Sequence, residues 1–249
     1  AHIAATYKPE TEVIKDFMDD SVNVIVTSLK LSDAQMVILK GKLLEPRTVT
    51  IAWDALAIII NRKNYDSLLT YDKIESIFKG DITDWKDIDS KSKLGKINII
   101  FDNDKSGNIR YFKDKFGITT LGPNFYAVKS NREVVDYVSK SPNSLGIVSV
   151  NWISDRDDPQ CLTFINKIRV VGVSPQYITS EFSYPLQGYI YDKSYPFIRE
   201  VNMITRETYY GLGSGFMAFV ASEQGQRIVL KGGLLPATMP IRTIQVVKQ

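Results

Sequence analysis

Two patterns of hydrophobic and polar residues alternate along this chain, one typical of strands and one typical of helices. Short apolar runs indicate buried strands, whereas apolar residues three and four positions apart indicate one face of a helix. The runs predict strands at 3–7, 23–27, 49–61, 96–101, 145–150, 168–173 and 188–191. The helical spacing covers 10–18, 33–39, 71–79, 109–116, 131–138, 197–204 and 215–230. This alternation predicts an α/β architecture of two lobes, each a mostly parallel sheet flanked by helices.

Polar residues mark the ends of two of these helices. Thr70 precedes the helix at 71–79 in the N-cap position, and Gly80 follows its basic last turn. Glycine is the usual residue after a last turn because it adopts a positive φ without strain. Ser130 and Glu133 have the spacing of a capping box. We therefore expect both helices to begin or end at these residues.

The overall composition is that of an ordinary globular protein. Of the 249 residues, 44% are hydrophobic and 24% are charged, which excludes a disordered chain. The net charge of +3 is too small for the clustered basic surface of a nucleic-acid-binding protein. The longest apolar stretch, 55–60, is far shorter than the roughly 20 residues of a membrane-spanning helix. We therefore expect no nucleic-acid partner and no membrane span.

Enzyme and metal chemistry have few candidate residues here. His2 is the only histidine and Cys161 the only cysteine, so an internal disulfide, a cysteine-built zinc site and a Ser-His-Asp triad are not expected. The sequence contains no P-loop and no G-x-S-x-G nucleophile motif. We therefore expect a non-catalytic protein that uses no metal and no cofactor.

A polar loop before one helix has the features of an anion-binding site. Ser106, Gly107 and Asn108 follow a buried strand and precede the helix, whose first backbone N–H groups are available to an anion. Arg110, in the first helical turn, can donate two parallel bonds to an oxyanion. The alternative is an ordinary N-cap on a solvated turn, and the motif alone leaves both interpretations open.

Further polar residues lie at junctions between predicted strands and helices. Thr27 and Ser28 follow an apolar strand, and ligands of open α/β sheets bind outside such carboxyl ends. Thr11 lies at the start of the helix after the first predicted strand. Asp54 precedes the apolar run 55–60, where a buried carboxylate can accept the proton of a partly protonated oxyanion and favour phosphate over sulfate. Each of these residues has a simpler alternative role in a cap or a turn.

Several segments resemble phosphate-type substrate-binding proteins of ABC transporters, which are type II periplasmic-binding proteins. The strand at 53–61 begins with Trp-Asp and ends in Asn, and LLTYDKIESIFKGDITDWKDI follows it at 68–88. Other similar segments occur in the family's order and extend the resemblance over essentially the whole chain: KSGNIRYF at 105–112, SPNSLGIVSV at 141–150, YPLQGYIY at 184–191 and AFVASEQGQRIVLKGGLLP at 218–236.

The resemblance implies a two-lobed type II periplasmic-binding-protein fold with the ligand cleft between the lobes. By position, residues 1–61 and 184–249 form lobe 1 and residues 62–183 form lobe 2. The resemblance also implies capture of a small oxyanion, above all inorganic phosphate, in the periplasm or at the cell surface. The captured ion would then be delivered to a membrane ABC permease.

The family's ligand positions fall on a defined set of residues in this chain, with three departures. The matching residues are Thr11, Thr27, Ser28, Ser106, Gly107 and Asn108. Many relatives have an arginine where this chain has Asp102, so we expect Arg110 to replace it, and Asn108 stands where relatives have threonine. Relatives also begin with a strand and a hydroxyl-rich loop that would precede Ala1. Lobe 1 is therefore expected to lack its first strand here, and an export leader or lipid anchor is expected upstream.

These observations predict a protein that captures phosphate by replacing its water shell with neutral donors and helix N-termini in a closed cleft. One alternative keeps the fold but changes the role: a ligand-sensing or protein-interaction module that binds a different small molecule or none. The departures at Asp102 and Asn108 leave the identity of the ligand open.

Overall fold

Helices and strands alternate through most of the chain, in agreement with the predicted α/β class. The computed structural model describes residues 3–154 and 159–239. Its strands are β1 Val24–Thr27, β2 Arg47–Asn61, β3 Leu68–Leu69, β4 Asn98–Phe101, β5 Phe125–Ala127, β6 Ser144–Ser149, β7 Ile168–Val170, β8 Gly172–Val173, β9 Ile198–Thr205 and β10 Leu235–Pro236. Its helices are α1 Glu10–Met18, α2 Asp33–Gly41, α3 Tyr71–Lys79, α4 Gly107–Phe116, α5 Asn131–Lys140, α6 Asn151–Ser154, α7 Pro159–Lys167, α8 Gln187–Tyr191, α9 Leu212–Ala221 and α10 Glu223–Lys231.

One long strand, β2, joins the two lobes. Its first part pairs with β9 as far as Ala55 and also with β10, whereas its second part pairs with β6 from Leu56 onward and with β7. The Leu56 N–H donates to the Phe197 carbonyl at 2.9 Å, so the start of β9 lies beside the point where the partners of β2 change. We call the side with β1, β9 and β10 the first lobe and the side with β4, β5, β6 and β7 the second lobe.

The directions of the strands differ from the mostly parallel sheets that the alternating pattern predicts. In the second lobe β4 pairs parallel with β5 and β6, but β2 pairs antiparallel with β6 and β7. In the first lobe every described pair is antiparallel. The expectation is therefore wrong for the first lobe and correct for the pairs of β4. The reason is that β2 leaves the first lobe and β9 returns to it alongside, so the two neighbouring strands run in opposite directions.

Three predicted elements have a different structure. Residues 188–191 lie in helix α8 rather than in a strand, residues 197–204 lie almost entirely in strand β9 rather than in a helix, and residues 3–7 lie in no described strand. Short apolar runs do not separate strand from helix by spacing alone. Because β9 lies between β1 and β2, both of its edges find hydrogen-bonding partners, and this tertiary pairing decides its structure.

Helix caps agree better with the sequence. The Thr70 hydroxyl accepts the Lys73 N–H at 3.3 Å, and Gly80 ends α3 with a φ of 86°. The Ser130 hydroxyl accepts the Glu133 N–H at 3.3 Å at the start of α5, but Glu133 Oε2 accepts the Lys129 N–H at 2.9 Å, so the cap forms without the reciprocal bond of a capping box. These caps are confirmed because they depend on local geometry that the flanking sequence already contains.

Aromatic packing sets the position of α4, whose N-terminus the sequence identifies as a candidate anion site. The buried face of the helix contains Ile109, Phe112 and Phe116. The Phe112 ring centroid lies 4.6 Å from that of Phe78 in α3 and 4.9 Å from that of Phe197. These contacts fix α4 between the second-lobe core and the start of β9, with its first turn at the gap between the lobes.

A smaller core holds α1 against the first lobe. Ile14 and Phe17 are buried on its inner face and pack with Ile25 of β1. The helix begins at Glu10, directly after Pro9. This packing brings the first turn of α1 next to the carboxyl end of β1, where Thr27 lies.

Candidate functional site

A cleft of about 420 Å³ lies where the first turns of α4 meet the start of β9 and the loop after β1. Ser28 and Arg199 line it from the first lobe, and Gly107, Arg110 and Tyr111 line it from the second lobe. Two guanidinium groups and the start of a ten-residue helix are features that favour an anion. Both guanidinium groups are already paired with carboxylates, Arg110 with Glu10 and Arg199 with Asp54, and the Asp114 side chain also lines the cleft.

The centre of this arrangement is a carboxylate that the sequence analysis missed. Glu10 Oε1 accepts hydrogen bonds from the Thr27 hydroxyl at 3.1 Å, the Ser28 N–H at 2.5 Å and the Ser28 hydroxyl at 2.7 Å. Glu10 Oε2 forms an ion pair with Arg110. One side chain thus occupies donors from β1, the following loop and α4 at the same time. The sequence does contain a clue to this role, because Glu10 lies in the first turn of the predicted helix that contains the candidate Thr11.

Opposing effects act on the pKa of Glu10. Burial favours the neutral carboxyl, but the Ser28 hydroxyl and N–H together with Arg199 and Arg110 favour the carboxylate and lower the pKa below its ordinary value. The first turn of α1 adds to this preference because a helix N-terminus stabilises negative charge. Glu10 is therefore a carboxylate at neutral pH.

Thr27 and Ser28 are brought together as predicted, but their donors point at Glu10. Thr27 is buried, and its hydroxyl oxygen also accepts the Leu29 N–H at 3.0 Å. Thr11 lies elsewhere: the N-cap residue is Pro9, and the Thr11 side chain is exposed on the first turn of α1. The structure thus joins the hydroxyl pair of β1 to α4 through Glu10, without Thr11.

The predicted loop at the start of α4 divides into an inward and an outward part. Ser106 caps the helix, since its hydroxyl oxygen accepts the Asn108 N–H at 3.0 Å, while the hydroxyl itself donates to Asp102. The Asn108 amide donates to Asp102 at 3.3 Å and to Asn131 Oδ1 at 3.4 Å. Asp102 therefore holds both side chains inside the loop, and neither Ser106 nor Asn108 is among the residues that line the cleft.

Gly107 and Arg110 form the outward part of the same turn. A Cβ added at Gly107 would overlap Glu10 Oε2 and would lie 3.0 Å from Glu10 Cδ, so the carboxylate packs directly on the backbone of the first helical residue. Arg110 is 24% exposed at its side chain and lines the cleft one turn further along the helix. These two residues are the parts of the predicted loop that reach the cleft.

Asp54 lies behind the cleft and supports one of its arginines. Its Oδ2 accepts from Arg199 Nε at 2.8 Å and from Arg199 Nη2 at 2.7 Å, and its Oδ1 accepts the Ser149 hydroxyl at 2.7 Å. Both carboxylate oxygens thus already have donors. Asp54 orients the Arg199 guanidinium, which sequence reasoning missed because β9 was predicted as a helix.

A third cation completes the wall of the cleft on α4. The Lys115 ammonium lies 5.6 Å from the Tyr111 ring centroid and 5.8 Å from that of Tyr71. The Tyr111 hydroxyl donates to the Ile198 carbonyl at 3.1 Å, and burial raises the pKa of this phenol. Tyr111 therefore stays neutral and joins α4 to the start of β9 at the floor of the cleft.

The described ranges offer neither a metal site nor a membrane-spanning helix. Among residues 3–154 and 159–239, no group of His, Cys, Asp and Glu side chains has an arrangement that would hold a metal ion. No helix in those same ranges is long and apolar enough to cross a membrane.

Comparisons with known proteins find phosphate-binding proteins with a similar sequence or a similar fold. The phosphate-binding protein PstS of Pseudomonas aeruginosa is 25% identical over 230 residues, which cover 88% of this chain and 69% of that protein. Among solved structures, a substrate-binding protein of the phosphate ABC-transporter type from Clostridium perfringens, with bound phosphate, has a TM-score of 0.72 at 23% identity. The match covers 91% of this chain and 84% of that one.

A second solved structure shares the same architecture. The ABC-type phosphate transport receptor of Vibrio cholerae has a TM-score of 0.69 at 21% identity and covers 90% of this chain and 84% of its own. These likenesses confirm the predicted two-lobed fold. A model of the PBP superfamily domain matches residues 1–224, and the chain therefore belongs to the periplasmic-binding-protein superfamily.

Proposed function

We propose that this protein captures inorganic phosphate outside the cytoplasm and delivers it to a membrane ABC permease. The observation that carries the proposal is the convergence of anion donors from both lobes on one cleft. Ser28 and Arg199 come from the first lobe, and Arg110 and the helix start at Gly107 come from the second. Relatives and solved neighbours that are named as phosphate-binding proteins support the same ligand.

Capture requires these donors to replace the water that surrounds the ion. Hydroxyl and backbone N–H donors supply neutral hydrogen bonds, while the guanidinium groups supply charge-assisted ones, which are roughly twice as strong. The two lobes, proposed as residues 1–61 with 184–249 and residues 62–183, close when the ligand contacts both. Only a ligand with higher affinity for the closed state drives this change.

Residues whose side-chain polar groups are already hydrogen-bonded within the protein have supporting roles in this mechanism. Ser106 and Asn108 hold the loop at the start of α4 in shape through Asp102. Asp54 holds Arg199 rather than accepting a proton from phosphate. We propose no catalytic step, and the protein acts as a binding component of transport in the periplasm or at the cell surface.

Isothermal titration calorimetry with phosphate, sulfate, molybdate and a neutral sugar tests this function. We expect saturable binding of one phosphate per chain, weaker binding of sulfate and no heat from the sugar. Arg199→Ala should abolish phosphate binding while Arg227→Ala, a remote exposed arginine, should leave it unchanged. An absence of heat with phosphate up to millimolar concentration would contradict the proposal.

One observation favours a second candidate function. Thr27, Ser28 and Arg110 already donate hydrogen bonds to Glu10, so these donors have a partner in the absence of any ligand. A protein-interaction or sensing module on the same fold would need no small molecule. The titration separates the two, because such a module gives no heat with any of the four ligands.

A further inference from the structure

The carboxylate of Glu10 makes the contacts that a bound oxyanion would make. Its Oε1 takes two hydroxyl donors and one backbone donor from Thr27 and Ser28, at 2.5 to 3.1 Å. Its Oε2 takes the Arg110 guanidinium. A negatively charged planar group with two oxygens is thus bound by neutral donors and one arginine, and two of these residues, Ser28 and Arg110, are among those that the proposed function assigns to phosphate.

The position of Glu10 at the helix start strengthens this comparison. The carboxylate touches the backbone at Gly107 so closely that a Cβ there would overlap Oε2. Gly107 is the first residue of α4, where the helix dipole attracts negative charge, although the Asn108 N–H is already capped by the Ser106 hydroxyl. The Glu10 carboxylate therefore lies against the Cα of the first helical residue, close to the positive end of the helix dipole.

The same side chain ties the two lobes together. Glu10 belongs to α1, which packs on the first lobe, whereas Arg110 belongs to α4 of the second lobe. A second ion pair, Glu12 Oε1 with Lys105 Nζ at 2.9 Å, joins the same two regions but is exposed at the surface. Glu10 thus makes the contacts to both lobes that a captured ligand would otherwise make.

We propose that the Glu10 carboxylate is a built-in occupant of the anion pocket, which any anionic ligand, phosphate included, must displace before it binds. This inference rests on the proposed function for the identity of the ligand, but not for the existence of the pocket. The ligand-competent state is then only the fraction of molecules in which Glu10 has turned away. The apparent affinity for phosphate is lower than the intrinsic affinity by that fraction.

A different arrangement makes the opposite prediction. If Glu10 stayed in place and accepted the proton of a hydrogen phosphate ion, it would be part of the ligand site, and its removal would weaken binding. The two arrangements predict opposite effects of removing Glu10: phosphate binds more tightly if Glu10 must be displaced, and more weakly if Glu10 accepts the proton of the ligand.

The first experiment is calorimetric titration of phosphate into the wild-type protein, Glu10→Ser, Glu10→Gln and Glu12→Ser. Serine leaves the pocket empty, and we expect Glu10→Ser to bind phosphate at least about tenfold more tightly than the wild type. Glutamine keeps the volume but loses the charge, so its affinity should lie between the two. Glu12→Ser removes an equal charge from the same helix without emptying the pocket and should change the affinity less than about twofold. An affinity for Glu10→Ser equal to or below that of the wild type would overturn the inference.

The second experiment tests the pocket without phosphate. Acetate is a small carboxylate, and it should fill the space that the Glu10 side chain leaves. We expect sodium acetate to raise the midpoint of thermal unfolding of Glu10→Ser above that in sodium chloride of equal ionic strength. Wild-type protein and Glu12→Ser should show no difference between the two salts. If Glu10→Ser responds equally to acetate and chloride, the carboxylate does not mark an anion pocket.

The two experiments separate the inference from the proposed function. A response to acetate in Glu10→Ser, with no phosphate binding in any variant, would reject phosphate capture and support the built-in occupant. Tighter phosphate binding together with the acetate response supports both. Thermal unfolding of each variant in buffer shows that it folds before either comparison is made.

Discussion

Asp54 of β2 and Arg199 of β9 face one another as paired residues of two neighbouring antiparallel strands. Arg199 Nη2 lies 2.7 Å from Asp54 Oδ2, and the two side chains are 15% and 4% exposed. This ion pair lies behind the cleft, at the point where the partners of β2 change. The ion pair therefore orients the Arg199 guanidinium, which the ligand would contact, at the position where β2 passes from one lobe to the other.

Removal of Asp54 should destabilise the protein strongly. Asp54→Ala leaves the largely buried Arg199 without its partner, and a broken buried pair costs about 3 to 5 kcal/mol. Urea denaturation monitored by tryptophan fluorescence measures the change in the free energy of unfolding. Glu223→Ala, which removes one partner of an exposed pair with Arg227, should cost less than about 1 kcal/mol. Equal losses in the two variants would show that the Asp54–Arg199 pair is not structurally important.

Ser106 should matter more for stability than for ligand binding. Its hydroxyl oxygen caps α4, and its proton is donated to Asp102, so Ser106→Ala should lower the free energy of unfolding by about 1 kcal/mol. Ser130→Ala removes a cap of the same kind from α5, outside the cleft, and should have a similar cost. The phosphate affinity of both variants should stay close to that of the wild type. A selective tenfold loss in Ser106→Ala would mean that this hydroxyl turns toward the ligand.

Arg110 should supply the charge that binds phosphate once Glu10 is removed. In the Glu10→Ser background, Arg110→Ala should weaken phosphate binding by about 1.5 to 3 kcal/mol, the range for hydrogen bonds to charged groups. Lys113→Ala, on the same helix but outside the residues that line the cleft, removes an equal charge as a control. Calorimetry on the two double variants measures the difference. Similar losses would show a general effect of charge rather than a contact.

The close contact between Gly107 and Glu10 should appear as an energetic coupling. Gly107→Ala introduces a methyl group where the Glu10 carboxylate packs, so it should destabilise the wild-type protein. In the Glu10→Ser background the space is open, and most of that cost should disappear. A double-mutant cycle in urea should give a coupling of about 1 kcal/mol. A cost that is equal in both backgrounds would mean that Glu10 moves aside easily.

The stability of the protein should fall in acid because of Glu207. This buried carboxylate accepts the Ser214 N–H at 2.7 Å and the Gly213 N–H at 3.1 Å, and these bonds from the start of α9 lower its pKa below the ordinary value of 4.5. A depressed pKa contributes stability that is fully present above the ordinary value and is lost as pH falls through the lower one. Urea denaturation from about pH 7 down to about pH 3 measures this loss, and Glu207→Gln should reduce the slope. An unchanged slope would assign the acid sensitivity to other carboxylates, such as Glu10.

Local features of the site could be predicted from the sequence. The cap at Ser106, the hydroxyl pair after β1 and the arginine in the first turn of α4 all follow from short segments whose backbone geometry depends on neighbouring residues. The resemblance to phosphate-type binding proteins placed these segments in a two-lobed fold. The sequence does not show which of the hydroxyl and amide groups face the cleft. Asp102 accepts hydrogen bonds from Ser106 and Asn108, and only the folded loop brings these groups within bonding distance.

The α/β class, most helix and strand positions and the polar loops at the ends of strands follow from the amino-acid sequence alone. These depend on the period of apolar residues and on capping, which act over a few residues. Three features depend on tertiary contacts: β9 is a strand beside β2, Arg199 faces Asp54, and Glu10 reaches Arg110, a hundred residues away. Such contacts join segments far apart in the chain, and their energy depends on burial and distance, which no local pattern contains.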